Sequence, residues 1–294
     1  FKSKKNIIHI HGCWSIKIFI YFIIGKILGK KIILSPHGML DPYSFTQKPL
    51  KKKFAWILFQ KFIVNKSHTI IVNSNIEKKN IQKIINKKKI YVIPHGIKKK
   101  NIPKNKTSFR NNFKYVFFSR IHPVKNLKKL VEIWANNKFF ENKILHVYGD
   151  ISDKKYFNEI KKIILKRKNI LYKGPLYKKK IITLSRYDIF LFPSVSENFG
   201  LVVLEALSAG LYLILNKNLP WQILEKKQFA TFTNFQTKNL INSIKSSEKK
   251  IISKNRKQRI AKFLNKNYSW NKISKLYFDI YKKSVSKTFQ KTIY

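Results

Sequence analysis

The chain has 294 residues, and its 63 Lys and Arg against 13 Asp and Glu give a formal net charge of +50 at pH 7. This length suggests two domains. The sole cysteine, Cys13, excludes an intramolecular disulfide and fits a reducing compartment, which predicts a cytoplasmic location. The strongly apolar stretch at residues 16–28 is interrupted by Lys17 and Lys26 and is too short to span a bilayer, so it predicts a helix between strands.

So large a positive charge raises nucleic acid as a partner, because phosphate backbones attract basic proteins. The excess is almost all Lys, however, and the sequence has only six Arg, the residue that makes bidentate contacts. No zinc, RNP or helix-turn-helix signature accompanies the charge. The sequence therefore predicts no specific nucleic acid as a partner.

The first half of the chain alternates short apolar strands with longer helical patterns. Such alternation indicates an α/β fold with doubly wound parallel sheets. The predicted elements are a strand at 6–10, the helix at 16–28, a strand and loop over 31–42, a helix at 48–62, and strands that begin near residues 71 and 90. The polar segment 98–112 predicts a linker and a domain boundary.

The helix predicted at 48–62 has a basic start, with Lys48 and Lys51 to Lys53, and an apolar body. Such a segment could lie on an anionic membrane surface. The alternative, which holds for most helices of this kind, is that it packs on a sheet and leaves its lysines in water.

The most informative segment lies between residues 188 and 210. Its apolar start predicts a buried strand, a polar turn follows at 194–198, and a helix begins at Gly200 and ends near Gly210. Open α/β sheets bind ligands at such strand ends, where backbone N–H groups and the positive end of a helix favour a diphosphate. The segment therefore predicts a site for a sugar nucleotide.

Two carboxylates, Glu197 and Glu205, lie eight positions apart around this turn. If the segment were helical throughout, they would share one face and lie roughly 12 Å apart along the axis. That is about the span from the sugar to the ribose of a nucleoside diphosphate sugar. The alternative is that Glu197 only caps the helix and Glu205 is a solvated helix residue.

The sequence SENFGLVVLEA at 196–206 resembles the E-x7-E motif of the retaining glycosyltransferases of family 4, which have the two-domain GT-B fold. The resemblance implies that Glu205 binds the ribose of the donor and that Glu197 binds the donor sugar as a catalytic residue. It also implies that the backbone of Phe199, Gly200 and Leu201 holds the sugar or the diphosphate.

Segments upstream resemble the same family in the same order. FFSRIHPVKN at 117–126 resembles the first strand and loop of the donor domain, which implies that Arg120 and Lys125 hold the diphosphate. Cations suit that position because the leaving group gains negative charge. Residues 146–150 and 169–175 resemble the next two strands and imply that Gly149, Lys173 and Gly174 line the nucleotide pocket. The alternative is that the two glycines are ordinary turn residues.

The segment KIILSPHGMLDP at 31–42 resembles the strand end at which this family places a His near the donor sugar and the reaction centre. His37 is therefore a candidate catalytic residue; the alternative is a structural His in a Pro-Gly loop. His9 and His11 close an earlier strand and are further candidates for the acceptor cleft.

The resemblance implies a GT-B architecture of two Rossmann-like domains that face a cleft. Residues 1–105 would form a partial acceptor-side domain, 106–268 the donor domain, and 269–294 a helix and tail in which the helix crosses back to the first domain. The family's usual opening strand, Gly-rich loop and further βα units do not precede Phe1, so we expect an incomplete N-terminal domain. Many relatives also carry a Gly pair where this chain has residues 216–221.

The function implied is that of a hexosyltransferase-like enzyme that moves a sugar, with retention, from a nucleoside diphosphate sugar to a glycan or polyprenyl- or lipid-linked acceptor. Cell-surface polysaccharide or lipopolysaccharide assembly is the expected pathway, and the inner face of the cytoplasmic membrane is the expected place for any peripheral binding. No cofactor is expected, and no DxD-type metal site is evident. The alternatives are a sugar-nucleotide epimerase of the same fold and a non-catalytic or truncated sugar-nucleotide-binding protein.

Overall fold

The computed structural model describes residues 6–85, 89–98, 112–251 and 255–286. The chain divides into two compact units, one formed by Phe1–Gly96 with Tyr268–Tyr294 and the other by Ile97–Asn267. Most of the predicted linker at 98–112, and the tail after residue 286, lie outside the described residues.

The first unit contains a parallel sheet whose described strands follow the chain order β1-β2-β3-β4. The strands are β1 (Ile7–His11), β2 (Lys31–Ser35), β3 (Thr69–Val72) and β4 (Ile90–Val92). The helices are α1 (Ile16–Ile27), α2 (Pro42–Thr46), α3 (Pro49–Ala55), α4 (Lys61–Lys66) and α5 (Asn75–Ile84), and a π-helical segment (Trp56–Gln60) joins α3 to α4. The predicted α/β alternation is confirmed.

Both faces of this sheet are covered, because successive strand side chains point to opposite sides. On one face Ile32 packs in a core with Ile63 of α4. On the other face Ile33 packs with Ile273 of the last helix, α13 (Trp270–Ser286). Among the described helices, none has the length and apolar character needed to cross a bilayer.

The second unit contains a parallel sheet in the order β10-β9-β8-β5-β6-β7. Its strands are β5 (Tyr115–Phe118), β6 (Leu145–Tyr148), β7 (Ile170–Tyr172), β8 (Ile189–Phe192), β9 (Tyr212–Asn216) and β10 (Ala230–Thr233). The helices are α6 (Leu127–Ala135), α7 (Lys154–Ile164), α8 (Lys180–Leu184), α9 (Leu201–Ser208), α10 (Ile223–Lys226), α11 (Thr237–Ile251) and α12 (Arg256–Tyr268). All residues of β5, β8 and β9 are buried, as expected for strands covered on both faces.

The order of this sheet reverses beside β5. The chain first adds β6 and β7 on one side of β5 and then returns to add β8 on the other side. Ligands of open α/β sheets bind at the carboxyl ends of the strands where the order reverses. The loops that follow β5 and β8 meet at this point, and they carry the residues predicted to bind the donor.

Candidate functional site

Hydrogen bonds join the loop after β5 to the turn after β8. The N–H of Val195 donates to the carbonyl of Val124 at 2.9 Å, and the hydroxyl of Ser194 reaches the same carbonyl at 3.1 Å. The Asn216 side chain, from the end of β9, donates to the carbonyl of Pro193 at 3.2 Å. Contacts at the ends of β5, β8 and β9 therefore hold the turn after β8 in place.

Lys125 and Glu197, which the sequence assigned separately to diphosphate and sugar, form an ion pair. Both side chains are only 10% exposed. The hydroxyl of Ser194 lies 2.8 Å from the same oxygen of Glu197, Oε1, and can donate to it instead of to the Val124 carbonyl. The Lys125 ammonium lies 5.8 Å from the centroid of the Phe192 ring. The two candidate residues thus form one nearly buried charged cluster.

Glu197 lies in the turn and not in a helix, since α9 begins only at Leu201. The predicted turn at 194–198 and helix start at Gly200 are therefore confirmed, and Glu197 and Glu205 do not share one continuous helix. The chain reverses at Gly200, whose φ of 76° is a left-handed conformation that favours glycine. Because the first turn of a helix leaves its N–H groups without intrahelical partners, α9 presents donors beside Gly200.

Trp221 supports this turn from the segment that replaces the relatives' Gly pair. Its indole N–H donates to the carbonyl of Phe199 at 2.5 Å, and the two ring centroids lie 4.9 Å apart. No local pattern in the sequence indicates this role. The neighbouring Asn198 has a buried side-chain oxygen without a hydrogen-bond partner among the described residues.

Glu205 pairs with Lys180, a residue that sequence analysis missed. The Lys180 ammonium lies 3.2 Å from Oε1 of Glu205, and their side chains are 36% and 18% exposed. The same ammonium lies 5.5 Å from the centroid of the Phe118 ring, at the end of β5. This cation belongs to α8, and no motif in that segment indicates a binding residue.

Arg120 is exposed in the loop after β5 and forms no ion pair or hydrogen bond with the described part of the chain. The neighbouring strand approaches this loop so closely that a Cβ at Gly149 would lie 1.8 Å from the carbonyl oxygen of Ser119. The N–H of Gly149 donates to the carbonyl of Gly174 at 3.0 Å, and Lys173 is exposed beside it. Gly149 is therefore required by packing, whatever it contributes to a nucleotide pocket.

His37 lies in the first unit within a cluster of imidazoles. Its Nε2 lies 2.8 Å from Nδ1 of His11, and its Nδ1 lies 3.0 Å from Oδ1 of Asn73. Its ring centroid lies 6.0 Å from that of His95. Both ring nitrogens of His37 are therefore occupied by protein contacts in this structure.

Burial and the neighbouring imidazoles lower the pKa of three histidines in this cluster. Burial first, and then the neighbouring His11 and His37, lower the pKa of His9 to about 4. Burial, and then the neighbouring His37, also lower the pKa of His11 and of His95. Among the described residues, no group of three or more His, Cys, Asp or Glu is arranged to hold a metal ion.

Comparison with known proteins confirms the predicted family. Residues 98–262 match the family described as Glycosyl transferases group 1, and residues 2–100 match Glycosyltransferase Family 4. The chain is 23% identical over 299 residues to an "Uncharacterized 41.2 kDa protein in cps region" of Klebsiella pneumoniae, which covers 95% of this chain and 79% of that protein.

Two solved structures share the fold. Sucrose-phosphate synthase from Thermosynechococcus elongatus superposes with a TM-score of 0.77 at 16% identity, over 97% of this chain and 75% of that one. HepE of Anabaena, in complex with UDP-glucose, superposes with a TM-score of 0.74 at 17% identity, over 96% of this chain and 79% of that one. The chain belongs to the family 4 glycosyltransferases and has their GT-B fold.

Proposed function

We propose that this transferase moves a sugar from a nucleoside diphosphate sugar to a glycan or lipid-linked acceptor, with retention of the anomeric configuration, in cell-surface polysaccharide or lipopolysaccharide assembly. The observation that carries the proposal is the cluster of cations and carboxylates at the strand reversal beside β5. The UDP-glucose bound to HepE supports the class of donor, and the cps-region relative supports the pathway.

In the proposed complex, different residues bind different parts of the donor. Glu205 accepts hydrogen bonds from the ribose hydroxyls, and Glu197 binds the donor sugar. The exposed Arg120 and the buried Lys125 stabilise the diphosphate as it leaves, and the N–H groups at the start of α9 bind it as well. The unpartnered oxygen of Asn198 accepts a hydrogen bond from a sugar hydroxyl.

Retention follows from attack on the face that the diphosphate leaves. The bond from the sugar's C1 to the phosphate oxygen breaks, the acceptor oxygen bonds to C1 on the same face, and the departing phosphate takes the acceptor's hydroxyl proton. The protein then needs no nucleophile of its own. Arg120 and Lys125 supply the positive charge that a divalent metal supplies in other transferases, so we propose that the reaction needs no metal.

A transfer assay tests this proposal. With a nucleoside diphosphate sugar and a glycan acceptor, we expect a product that has the donor's anomeric configuration by NMR, at a rate that EDTA leaves unchanged. An inverted product would contradict the front-face mechanism. A rate that EDTA abolishes and Mg²⁺ restores would contradict the metal-independent site.

We also propose that the first unit binds an anionic membrane surface. The helices α1 and α4 lie side by side, with the ring centroids of Phe22 and Phe62 5.8 Å apart. Apolar side chains of α1 and its C-cap, α3, the π-helical segment and α4 remain exposed: Ile20, Ile24, Ile27, Leu28, Phe54, Ile57, Leu58 and Phe62. An exposed apolar surface of this kind is typical of an interaction site.

The distribution of charge supports an anionic partner for this surface. The first 76 residues contain a single acidic residue, Asp41, and its side chain is buried. Four lysines, Lys26, Lys30, Lys31 and Lys66, line a cavity of about 520 Å³ where α1 and α4 end. Exposed apolar side chains and a lysine-lined cavity on the same helices, with no exposed carboxylate in this part of the sequence, fit lipid with anionic headgroups.

Vesicle co-sedimentation tests the membrane proposal. We expect the protein to bind phosphatidylglycerol vesicles and not phosphatidylcholine vesicles. Replacing both Phe54 and Ile57 by Glu should weaken binding at least tenfold, because the two side chains would otherwise bury apolar surface in the lipid. Tm should remain unchanged, because the two side chains are 66% and 70% exposed in the folded protein. Leu165→Glu, at a 75% exposed position of the second unit, is the matched control. Equal binding by the Glu variant and the control would contradict the proposal.

A further inference from the structure

A chain of hydrogen bonds in the first unit has a fixed direction, which is set by the carbonyl of Ile93. The Asn73 side-chain nitrogen donates to that carbonyl at 3.0 Å. Since a carbonyl can only accept, the amide oxygen of Asn73 must be the atom that faces Nδ1 of His37, at 3.0 Å. Nδ1 of His37 therefore carries the proton.

His11 continues this chain of hydrogen bonds. With the proton of His37 on Nδ1, its Nε2 can accept a hydrogen bond, and this atom lies 2.8 Å from Nδ1 of His11. The two rings are inclined by only 9°, with centroids 5.1 Å apart, as an in-plane N–H···N hydrogen bond requires. His11 must therefore carry its proton on Nδ1, which leaves its Nε2 bare.

Buried groups hold this arrangement in place. The carboxylate of Glu77, a fully buried residue, accepts from the N–H of Gly38 at 2.6 Å and from the N–H of Asn73 at 2.8 Å. These bonds fix the loop after β2 and the loop after β3, which carry His37 and Asn73. At the other end His11 is exposed, and its Nε2 has no hydrogen-bond partner among the described residues.

We propose that Nε2 of His11 binds the glycan acceptor by accepting a hydrogen bond from one of its hydroxyl groups. A bare imidazole nitrogen selects a ligand group that donates, which a sugar hydroxyl does and a carbonyl oxygen does not. The inference rests on the proposed transferase function, in which the first unit is the acceptor side. It makes Asn73 and His37 positioning residues, which act through His11.

This hydrogen bond needs an uncharged His11. The titratable groups around it are His9 on β1, Tyr277 and Tyr281 on α13, His37 and His95 on neighbouring loops, and Glu77 behind them. Burial and then the His37 imidazole lower the pKa of His11, so Nε2 is bare at pH 7. Because the pKa of His11 is lowered, protonation sets in only below the usual value of about 6.5. Protonation converts Nε2 into a donor, and the KM for the acceptor should then rise.

The tautomers test the inference without any assay of activity. In a long-range ¹H–¹⁵N spectrum of the ¹⁵N-labelled protein, we expect both His11 and His37 to carry the proton on Nδ1, with assignments from the His11→Phe and His37→Gln spectra. A proton on Nε2 of His11 would overturn the proposal. This result does not depend on whether the transferase function is correct.

Kinetics supply the second test. His11→Phe, which keeps a ring and removes the acceptor nitrogen, should raise the KM for the acceptor at least tenfold and leave Tm and the Kd for the donor unchanged. His11→Gln should recover part of the loss, because its amide oxygen can reach the position of Nε2. His146→Gln, on β6 of the second unit, is the control. A change in KM of less than twofold in His11→Phe would overturn the assignment, whereas failure of the parent to bind any donor would overturn the proposed function instead.

Discussion

Replacing Lys125 by Met is expected to lower the free energy of unfolding by about 3–5 kcal/mol, because it leaves the carboxylate of Glu197 nearly buried without a counter-charge. The residual Ser194 hydroxyl offers only one neutral hydrogen bond to that carboxylate. Urea unfolding measures the loss. A decrease below about 1 kcal/mol would show that water reaches the pair, as for surface ion pairs.

Two further variants separate folding from function at this pair. Lys125→Met combined with Glu197→Gln removes both charges and should recover most of the stability. It should not recover transfer, because both proposed donor contacts are lost. Lys128→Met is the matched control. Lys128 pairs with Glu159 at the surface, where the two side chains are 39% and 45% exposed, so this substitution should leave stability close to that of the parent.

Replacing Arg120 by Ala is expected to lower kcat about 10²–10³-fold, the loss typical of removing one group that stabilises developing negative charge. Stability should change by no more than about 0.5 kcal/mol, because Arg120 is exposed and makes no ion pair within the described residues. This combination differs from the effect of Lys125→Met, which damages both properties. Steady-state kinetics together with thermal unfolding provide the comparison.

Charge and geometry can be separated at the same position. Arg120→Lys keeps the positive charge but loses the planar fork, so it should recover only part of the rate. Arg167→Ala, at an exposed position between α7 and β7, should leave the rate unchanged. An Arg120→Ala rate within threefold of the parent would remove Arg120 from the proposed site.

The sequence predicted the strands of the site well because each one is a short buried run that ends in a turn residue. β8 and Gly200 illustrate this, since the apolar run, the polar turn and the glycine are all local signals. The helix at 48–62 was also predicted, but its π-helical segment and its division into a buried and an exposed face were not. Phe59 is buried while Ile57 and Leu58 are exposed, and this depends on contacts with α1 that local sequence does not encode.

The partners of the predicted site residues could not be read from the sequence, because pairing depends on which strand ends meet. Lys125 and Glu197 were assigned to different parts of the donor, and only the reversal beside β5 brings them into contact. Lys180 is one lysine in a chain rich in lysine, so nothing marked it as the partner of Glu205. Trp221 was visible only as a departure from the family pattern, although it supports the turn at Phe199.

The first measurement is a calorimetric titration of the protein, and of Glu205→Ala, with UDP, GDP, ADP and their sugars. Saturable binding of one nucleotide is predicted, with affinity about 10- to 100-fold weaker in Glu205→Ala, because a carboxylate that accepts a hydrogen bond contributes about 1.5–3 kcal/mol. Glu225→Ala, at an exposed position in α10, should bind like the parent. A folded protein that binds none of these nucleotides, or a Glu205→Ala variant that binds as tightly as the parent, would contradict the donor site proposed at the strand reversal.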